Sequence, residues 1–382
     1  MIKKWGIMSG LIIGIVAAYA QVDSSPVAIM QSTFDTDADG WTATFDSTGA
    51  SWQASGGNPG GYIQASDTGQ GQVWYWNAPA KFLGNQSAAD GLTFDLWQTP
   101  TTTQFNSPDV VLVGGGITLQ FNTSYNPGST WTSYAVLLSP TAGWWNQAAD
   151  APATQADMET VLSSLTNLQI RGEYSGDLDT DGLDNVILSS IPGFEDVPDS
   201  YWAHDFIYTI YLAGITGGCS ANPPLFCPNN IITRGQMAVF MEVSLGVAAA
   251  PPCIGTVFSD VNAATVGSAF CGFIEDFAAR GITGGCGGGN YCPNSPVTRW
   301  QMAVFIEAAL GRVPGQLPPA CSGTFTDVNA STVGDYVCRI IEDFAVQGIT
   351  GGCGGGNFCP FALVTRAQMA VFLVAAPPPL NP

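Results

Sequence analysis

Three stretches decide the fold: Gly214-Ile215-Thr216-Gly217-Gly218-Cys219, Gly281-Ile282-Thr283-Gly284-Gly285-Cys286 and Gly348-Ile349-Thr350-Gly351-Gly352-Cys353. Working outward, each has the same neighbours. Upstream stand Phe194-Glu195-Asp196-Val197, Phe258-Ser259-Asp260-Val261 and Phe325-Thr326-Asp327-Val328. Downstream, a Thr-Arg-x-Gln-Met-Ala-Val-Phe segment begins at Thr233, Thr298 and Thr365. The arginines Arg234, Arg299 and Arg366 are 65 and 67 residues apart. A period of this size means one supersecondary unit used three times. Proline pairs at Pro251-Pro252 and Pro318-Pro319 mark the joints, and Pro377-Pro378-Pro379 follows the last unit.

Each unit reads as two helices. In unit one, Phe206, Ile207, Ile210 and Tyr211 recur at helical spacing. Gly214 supplies the left-handed residue that ends this helix, and Ile215 folds back on its last turn. The second helix starts at Thr233, where Thr-x-x-Gln forms a capping box with Gln236. Thr298 with Gln301, and Thr365 with Gln368, repeat it. Met237, Phe240, Met241 and Leu245 then form a buried stripe. Capping does not require the arginine inside the box, and a cation in the first turn works slightly against the helix dipole. Two readings are open for it. One is an anion site made by helix-start amides and a guanidinium. The other is a structural ion pair to Asp196, Asp260 or Asp327. Trp202 and His204 occur only in unit one and read as half-buried packing residues.

All ten cysteines lie between Cys219 and Cys359. Their spacing pairs Cys219 with Cys227, Cys286 with Cys292, and Cys353 with Cys359; Cys253 with Cys271 and Cys321 with Cys338 remain. Unit one has Ser189 and Ile207 where unit two has Cys253 and Cys271, so both partners are missing together. Zinc is a poor rival, with no C-x2-C pair and one histidine in the chain. Such bridges belong to oxidising compartments. Met1 to Ala20 agrees with export. Lys3 and Lys4 precede an apolar run, and Ala18-Tyr19-Ala20 fits a cleavage site, so residues 1–20 read as a signal peptide. No transmembrane span is expected after processing, and the protein is expected to be secreted and retained at the cell envelope.

The chain has 10 Lys plus Arg against 30 Asp plus Glu, a formal charge of −20. That balance excludes nucleic acid as a partner, since its affinity comes mostly from cations laid on phosphates. Hydrophobic residues make up 46%, enough for packed cores.

Residues 31–190 have a different grammar. Alternating runs at Tyr62-Ile63-Gln64-Ala65, Leu92-Thr93-Phe94-Asp95-Leu96, Val110-Val111-Leu112-Val113 and Ile117-Thr118-Leu119-Gln120-Phe121 are separated by turns such as Gly57-Asn58-Pro59-Gly60-Gly61. Many short punctuated strands predict an all-β sandwich. One helix interrupts them, capped by Thr154 with Met158, Val161, Leu162 and Leu165 as its stripe, followed by a strand at Leu168 to Ile170.

Asp35, Asp37 and Asp39 alternate before Gly40, and Asp177, Asp179, Asp181 and Asp184 gather near the end of this region. First and last strands of a sandwich are often neighbours. Asp35, Asp37 and Asp184 are therefore candidate ligands of a structural calcium, weighed against a solvated acidic turn. Of Trp74, Trp76, Trp97, Trp131, Trp144 and Trp145, most read as core, with Trp144-Trp145 the best candidates to stack on sugar. No catalytic motif emerges. Glu159 and Glu173 offer a carboxylate pair for glycoside hydrolysis, but nothing in their setting selects them.

The Phe-x-Asp-Val opening, Gly-Ile-Thr-Gly turn and Thr-Arg-x-Gln helix start, in triplicate, resemble S-layer homology domains. The resemblance implies a bacterial protein, a mainly α pseudo-threefold bundle, and non-covalent attachment to peptidoglycan or an attached anionic polysaccharide. It maps binding onto Arg234, Arg299 and Arg366 with their caps, Thr233, Thr298, Thr365, Gln236, Gln301 and Gln368. The family has Glu after Thr-Arg-x where all three units here have Gln, and the Gly-rich cysteine loops are atypical. In the first half, Phe34-Asp35-Thr36-Asp37 with Gly40-Trp41, Ala78-Pro79-Ala80-Lys81-Phe82-Leu83-Gly84 and Leu183-Asp184-Asn185-Val186 resemble the laminin B domain, which implies an extracellular jelly-roll sandwich.

The expected organisation is a signal peptide at 1–20, a sandwich at 31–190, and repeats at 191–249, 254–314 and 321–376. The expected function is wall anchoring through the arginines, held facing outward to grip anionic polymer, with the sandwich displaying an adhesive or carbohydrate-facing surface. The competing functions are a wall-tethered polysaccharide-active enzyme or accessory module, and a structural surface-layer protein.

Overall fold

The structure, a computed structural model, describes residues 26–312, 317–318 and 320–380. The signal-peptide expectation for residues 1–20 lies outside them. Among the described residues no helix is long and apolar enough to cross a membrane.

The first half folds as a β-rich sandwich. In chain order its strands are β1 (Val27–Ser32), β2 (Thr42–Ala43), β3 (Ser51–Gly57), β4 (Gly60–Ser66), β5 (Tyr75–Asn77), β6 (Gly91–Thr99), β7 (Val110–Gly114), β8 (Ile117–Phe121) and β9 (Thr132–Leu137). After them come β10 (Trp145–Asn146), β11 (Ala151–Pro152), β12 (Leu165–Arg171) and β13 (Thr180–Ser190). One sheet runs β3-β4-β13-β6-β9, with β1 also paired to β13. The other runs β11-β10-β8-β7-β12-β5-β2. The two-residue alternation of each strand sends Ile63, Leu92, Phe94 and Leu96 from the first sheet, and Val110, Leu112, Leu119 and Ile170 from the second, into one core. First and last strands are neighbours: Ser32 lies opposite Val186. The register of β13 slips between Asp184 and Ile187, where Asn185 is left-handed at φ 50°.

Helix α1 (Gln155–Ser163) has Thr154 as its N-cap, in a capping box with Asp157. Met158, Val161 and Leu162 are buried as expected, but Leu165 opens β12 and is not part of the helix. Ser164 ends the helix outside the α region, so the apolar spacing continues across a change of structure.

The second half is helical and carries five disulfides. Unit one contains α2 (His204–Leu212), a short hairpin of β14 (Ser220–Ala221) and β15 (Pro224–Leu225), and α3 (Arg234–Ser244). Unit two contains the single turn α4 (Ala263–Val266), α5 (Ser268–Ala279) and α6 (Arg299–Ala309). Unit three contains α7 (Ala330–Val333), α8 (Asp335–Val346) and α9 (Arg366–Ala375). Each first helix ends on a left-handed glycine, such as Gly214 at φ 72°, with the Ile215 amide returning to Ile210 O at 2.9 Å. The bridges join Cys219 to Cys227, Cys253 to Cys271, Cys286 to Cys292, Cys321 to Cys338, and Cys353 to Cys359.

The units meet in cyclic order. Helix α3 packs on α5, α6 on α8, and α9 on α2. Before each second helix a backbone amide reaches a neighbouring unit. Val297 donates to Ile232 O at 3.1 Å, Val364 to Val297 O at 2.9 Å, and Ile232 to Val364 O at 3.0 Å. One hydrophobic cluster runs through all three units. Unit one is also seated on the sandwich through α2 and β9. At Gly91 a β-carbon would meet Leu212 Cδ2 at 2.5 Å, so glycine there admits the helix. Ser189, which stands where unit two has Cys253, lies inside β13. Pairing with β1 and β6 holds this segment where the other units use a disulfide.

Candidate functional site

The three repeat arginines do not face outward. Arg234, Arg299 and Arg366 are only 4%, 5% and 3% exposed. Each guanidinium lies between two rings. Arg234 is 4.7 Å from the Tyr291 ring and 5.3 Å from Phe305. Arg299 is 4.8 Å from Phe358 and 5.3 Å from Phe372. Arg366 is 4.7 Å from Phe226 and 5.3 Å from Phe240. Each Nε donates to the carbonyl of the first ring's residue, Tyr291 O at 2.8 Å, Phe358 O at 2.8 Å and Phe226 O at 2.7 Å. Both rings belong to other elements, and the carbonyl belongs to the next unit in the cycle. The expectation of an exposed grip is therefore corrected. A planar cation in an apolar seam is held by ring quadrupoles and a carbonyl dipole. Burial holds the Arg234 and Arg299 guanidinium groups below the usual arginine range, partly offset by Asp260 and Asp327.

Among the described residues, neither Arg234 nor Arg299 makes a direct ion pair to a Phe-x-Asp-Val aspartate, whose carboxylates take backbone amides instead. Asp196 accepts the amides of Phe226 and Cys227 at 2.8 and 2.7 Å. Asp260 takes those of Tyr291 and Cys292, and Asp327 those of Phe358 and Cys359. Each aspartate thus fixes the loop whose carbonyl receives a neighbour's arginine. The cysteine in each pair is left-handed, near φ 60°, with Cys227 at 59°. Gln236, Gln301 and Gln368 accept from the amides of Thr233, Thr298 and Thr365 at 3.2, 3.0 and 3.1 Å. These caps hold the helix start that carries each arginine.

Trp202 is 62% exposed, not half-buried, and sits 6.0 Å from Tyr201. His204 Nδ1 lies 2.8 Å from Asp205 Oδ1. The two Cys-Cys-Glu groups, Cys253-Cys271-Glu275 and Cys321-Cys338-Glu342, have the compactness of a metal site. Their sulfurs are bonded to each other, so no thiolate is left to ligate. The Glu275 carboxylate accepts the amides of Ile254 and Gly255 at 2.6 and 2.8 Å, and Glu342 holds Ser322 and Gly323 in the same way.

On the sandwich, Trp74, Trp76 and Trp144 are fully buried. Trp144 donates its indole N–H to Leu137 O at 2.8 Å, which removes it as a sugar contact; its neighbour Trp145 is 40% exposed. The half-exposed aromatic cluster lies elsewhere, where Tyr62 of β4, Trp97 of β6 and Trp131 meet. Tyr62 and Trp131 are 5.4 Å apart, and each is 6.2 Å from Trp97. Trp97 reaches across β13 at Gly182, where a β-carbon would meet its Nε1 at 2.0 Å. Trp131 donates to Gly56 O at 2.9 Å and so spans from the β9 edge to the β3–β4 turn. Tyr62 was not singled out from the sequence. The signal was its alternation with Ile63, which puts it on the outer face beside Gln64.

The acidic residues divide. Asp184 is fully buried and accepts the amides of Asn58 and Asn185, each at 2.7 Å. Burial raises its carboxyl to about 6, with Asp95 and Asp35 pushing the same way. Asp35 crowds Gly60 from the start of the chain, so the two ends of the sandwich do meet here. Asp37 does not join them; its Oδ1 caps the Asp39 amide at 2.7 Å. Asp39 pairs with Lys81. Among the described residues, no three carboxylates lie within 4.8 Å of one another. Glu173 is raised to about 7 by burial, with Asp67, Asp179 and Asp46 adding to the effect; Glu159 instead bonds Gln155 along α1. These two do not form a pair.

Residues 75–194 match the laminin B (domain IV) model, and residues 193–238 and 258–303 match the S-layer homology domain. Human laminin subunit gamma-1 is 31% identical over 180 residues, 45% of this chain and 11% of that protein. Exoglucanase XynX of Acetivibrio thermocellus is 25% identical over 203 residues, 51% of this chain and 18% of that protein. The chain thus spans less than a fifth of these relatives. Among solved structures, the L4b domain of human laminin alpha-2 is 12% identical with a TM-score of 0.30, covering 33% of this chain and 79% of that domain. The family 11 carbohydrate-binding module of the Clostridium thermocellum cellulase Lic26A-Cel5E is 14% identical with a TM-score of 0.30, covering 44% of this chain and 97% of the module.

Proposed function

We propose that this chain is a bacterial cell-envelope protein held non-covalently to wall polymer, peptidoglycan or an attached polysaccharide, by three S-layer homology units in a pseudo-threefold bundle. The units span 191–249, 254–314 and 321–376. They display a laminin B-like jelly roll, residues 31–190, as an adhesive or carbohydrate-facing domain. The role is binding, and the location is the outside of the cell, retained at the envelope.

One observation carries this reading. The third unit lies beyond the residues matched to the family, yet it closes the same contacts as the matched two. Arg299 enters the Phe358 loop as Arg234 enters the Tyr291 loop, and Arg366 enters the Phe226 loop. A wall contact made by one seam has two counterparts, which suits a repetitive polymer. On the sandwich, the Tyr62, Trp97 and Trp131 cluster offers ring surface for sugar. A structural calcium beside Asp35 and Asp184 is part of the same reading. It is supported by a fully buried carboxylate with acidic neighbours, Asp95 and Asp35, at the place where the sandwich closes.

Sedimentation of the full chain with purified wall fractions tests the reading. The protein is expected in the pellet; a protein left in the supernatant with every wall fraction overturns it. Similarity to exoglucanase XynX over half the chain favours a second reading, an accessory of polysaccharide breakdown. Release of reducing sugar when the protein is added to a polysaccharide hydrolase distinguishes the two.

A further inference from the structure

We infer that the junction between the sandwich and the helical repeats is a sugar-binding cleft, distinct from the Tyr62, Trp97 and Trp131 cluster. The inference goes beyond the anchoring reading, because it concerns a surface that neither half has alone.

The cleft holds about 320 Å³. Small-molecule sites of about 300–1,000 Å³ occur preferentially at domain junctions. The sandwich supplies one wall, from the end of β8 through Tyr125 and from β9. Helix α2 supplies Asp205, Phe206 and Thr209, and α9 supplies Val374.

The repeats explain why this space is open. Nine residues after the capping threonine, α3 has Glu242 and α6 has Glu307, where α9 has Val374. Five residues before the glycine that ends each first helix, α5 has Asp276 and α8 has Asp343, where α2 has Thr209. The two acidic seams are filled. Arg280 joins Glu242 to Asp276, at 3.0 and 2.8 Å. Gln347 joins Glu307 to Asp343, at 2.9 Å from each. The third seam has short neutral side chains at both positions. The sandwich covers that seam with Ala135, Leu137 and Ala142, and the cleft persists between them.

Its walls suit a pyranose. Tyr125 stacks on Tyr134, and Tyr134 on Phe94, with ring centroids 5.1 Å apart in each pair. The Tyr125 hydroxyl donates to Ser133 O at 3.0 Å. The ring is therefore held before any ligand arrives, and a preorganised aromatic surface loses little entropy on binding. Phe206 gives a second ring from the helix side. Around them Asn122, Thr141, Thr209 and Asp205 carry carboxamide, hydroxyl and carboxylate groups. Asp205 Oδ1 lies 2.8 Å from His204 Nδ1, which holds the carboxylate in place. Rings flanked by such groups match a sugar, whose C–H face is apolar and whose edge carries hydroxyls.

The test titrates cellotetraose and chitotetraose separately into the full chain by isothermal titration calorimetry. At least one is expected to bind. Thr141→Trp, at an exposed position on the rim, and Phe206→Ala are each expected to weaken that binding about tenfold or more. Tyr62→Ala, three strands from β9 in its sheet, is expected to leave it within about twofold. Unfolding temperatures show whether each variant is folded; if Phe206→Ala is not, Thr141→Trp decides. Absence of binding by both oligosaccharides, binding that Thr141→Trp leaves intact, or binding lost in Tyr62→Ala alone overturns the inference. Sedimentation with wall fractions reads anchoring separately, so retention on wall without oligosaccharide binding removes this inference and leaves the anchoring reading in place.

Discussion

Arg366 donates its Nε to the carbonyl of Phe226 across 140 residues of chain and lies 4.7 Å from that ring. This contact ties the last helix to the first unit and so closes the cycle. It has counterparts at Arg234 and Arg299, but those join units adjacent in sequence.

Replacement of Arg366 by Ala is expected to cost about 2–4 kcal/mol. The sum combines a desolvated cation–ring contact of about 2 kcal/mol with a hydrogen bond to a charged donor of about 1.5 kcal/mol or more. Lysine is expected to restore little, because it lacks the planar fork. Chemical denaturation of the full chain measures the loss. If the variant unfolds like the parent, the seam is not held by the arginine.

Stability is expected to fall as pH rises from about 5 to above 8. Glu242 of α3 is fully buried, and burial lifts its carboxyl to about 8. Asp276 of α5 raises it further, and Arg280 at 3.0 Å opposes. A group whose folded pKa is raised stabilises the fold below its unfolded value, near 4.5, and loses that contribution as pH climbs through the folded value. Glu307, raised to about 7, acts with the same sign. Glu242→Gln should flatten the slope of unfolding temperature against pH between 5 and 8. An unchanged slope would show that Glu242 stays ionised in the fold.

Removing the Cys253–Cys271 bridge by paired serine substitution should cost about 3 kcal/mol, the chain-entropy value for a closed loop of 18 residues. Unit one has no such bridge, because β13 runs through Ser189 and pairs with β1 and β6. Truncation of β1 before Ser32 is therefore expected to loosen the start of unit one, while the same truncation leaves unit two protected. Hydrogen exchange at the amides of α2 and α5 reads the difference.

The units and their bridges were legible because three copies of one pattern fall at nearly equal spacing, and because Cys253 and Cys271 are absent together from unit one. The fate of the arginines was not. Their rings come from other segments, and Tyr291 lies 57 residues beyond Arg234. Nothing local separates an arginine that faces solvent from one that crosses a seam. The tryptophans show the same limit. Trp144 and Trp145 are adjacent, so one is buried and the other half-open, and sequence does not say which. Trp97 could be placed only once Gly182 was known to lie beside it on β13. The capping boxes, by contrast, depend on residues three apart, and they formed where the spacing predicted.

Calcium is expected to raise the unfolding temperature of the sandwich through the junction of its first and last strands. There Asp184 is fully buried and Asp35 approaches from the loop after β1. Calcium takes carboxylate and carbonyl oxygens, and a bound ion stabilises the folded state by mass action. Differential scanning calorimetry with 1 mM calcium chloride against 1 mM EDTA should show a shift of several degrees. Asp184→Asn should abolish that shift, whereas Asp37→Asn should leave it intact, because Asp37 is committed to the Asp39 amide. Equal unfolding temperatures in calcium and chelator would mean that this acidic junction is held by its backbone amides alone. An effect lost with Asp37 and kept without Asp184 would move the ion to the surface loop after β1.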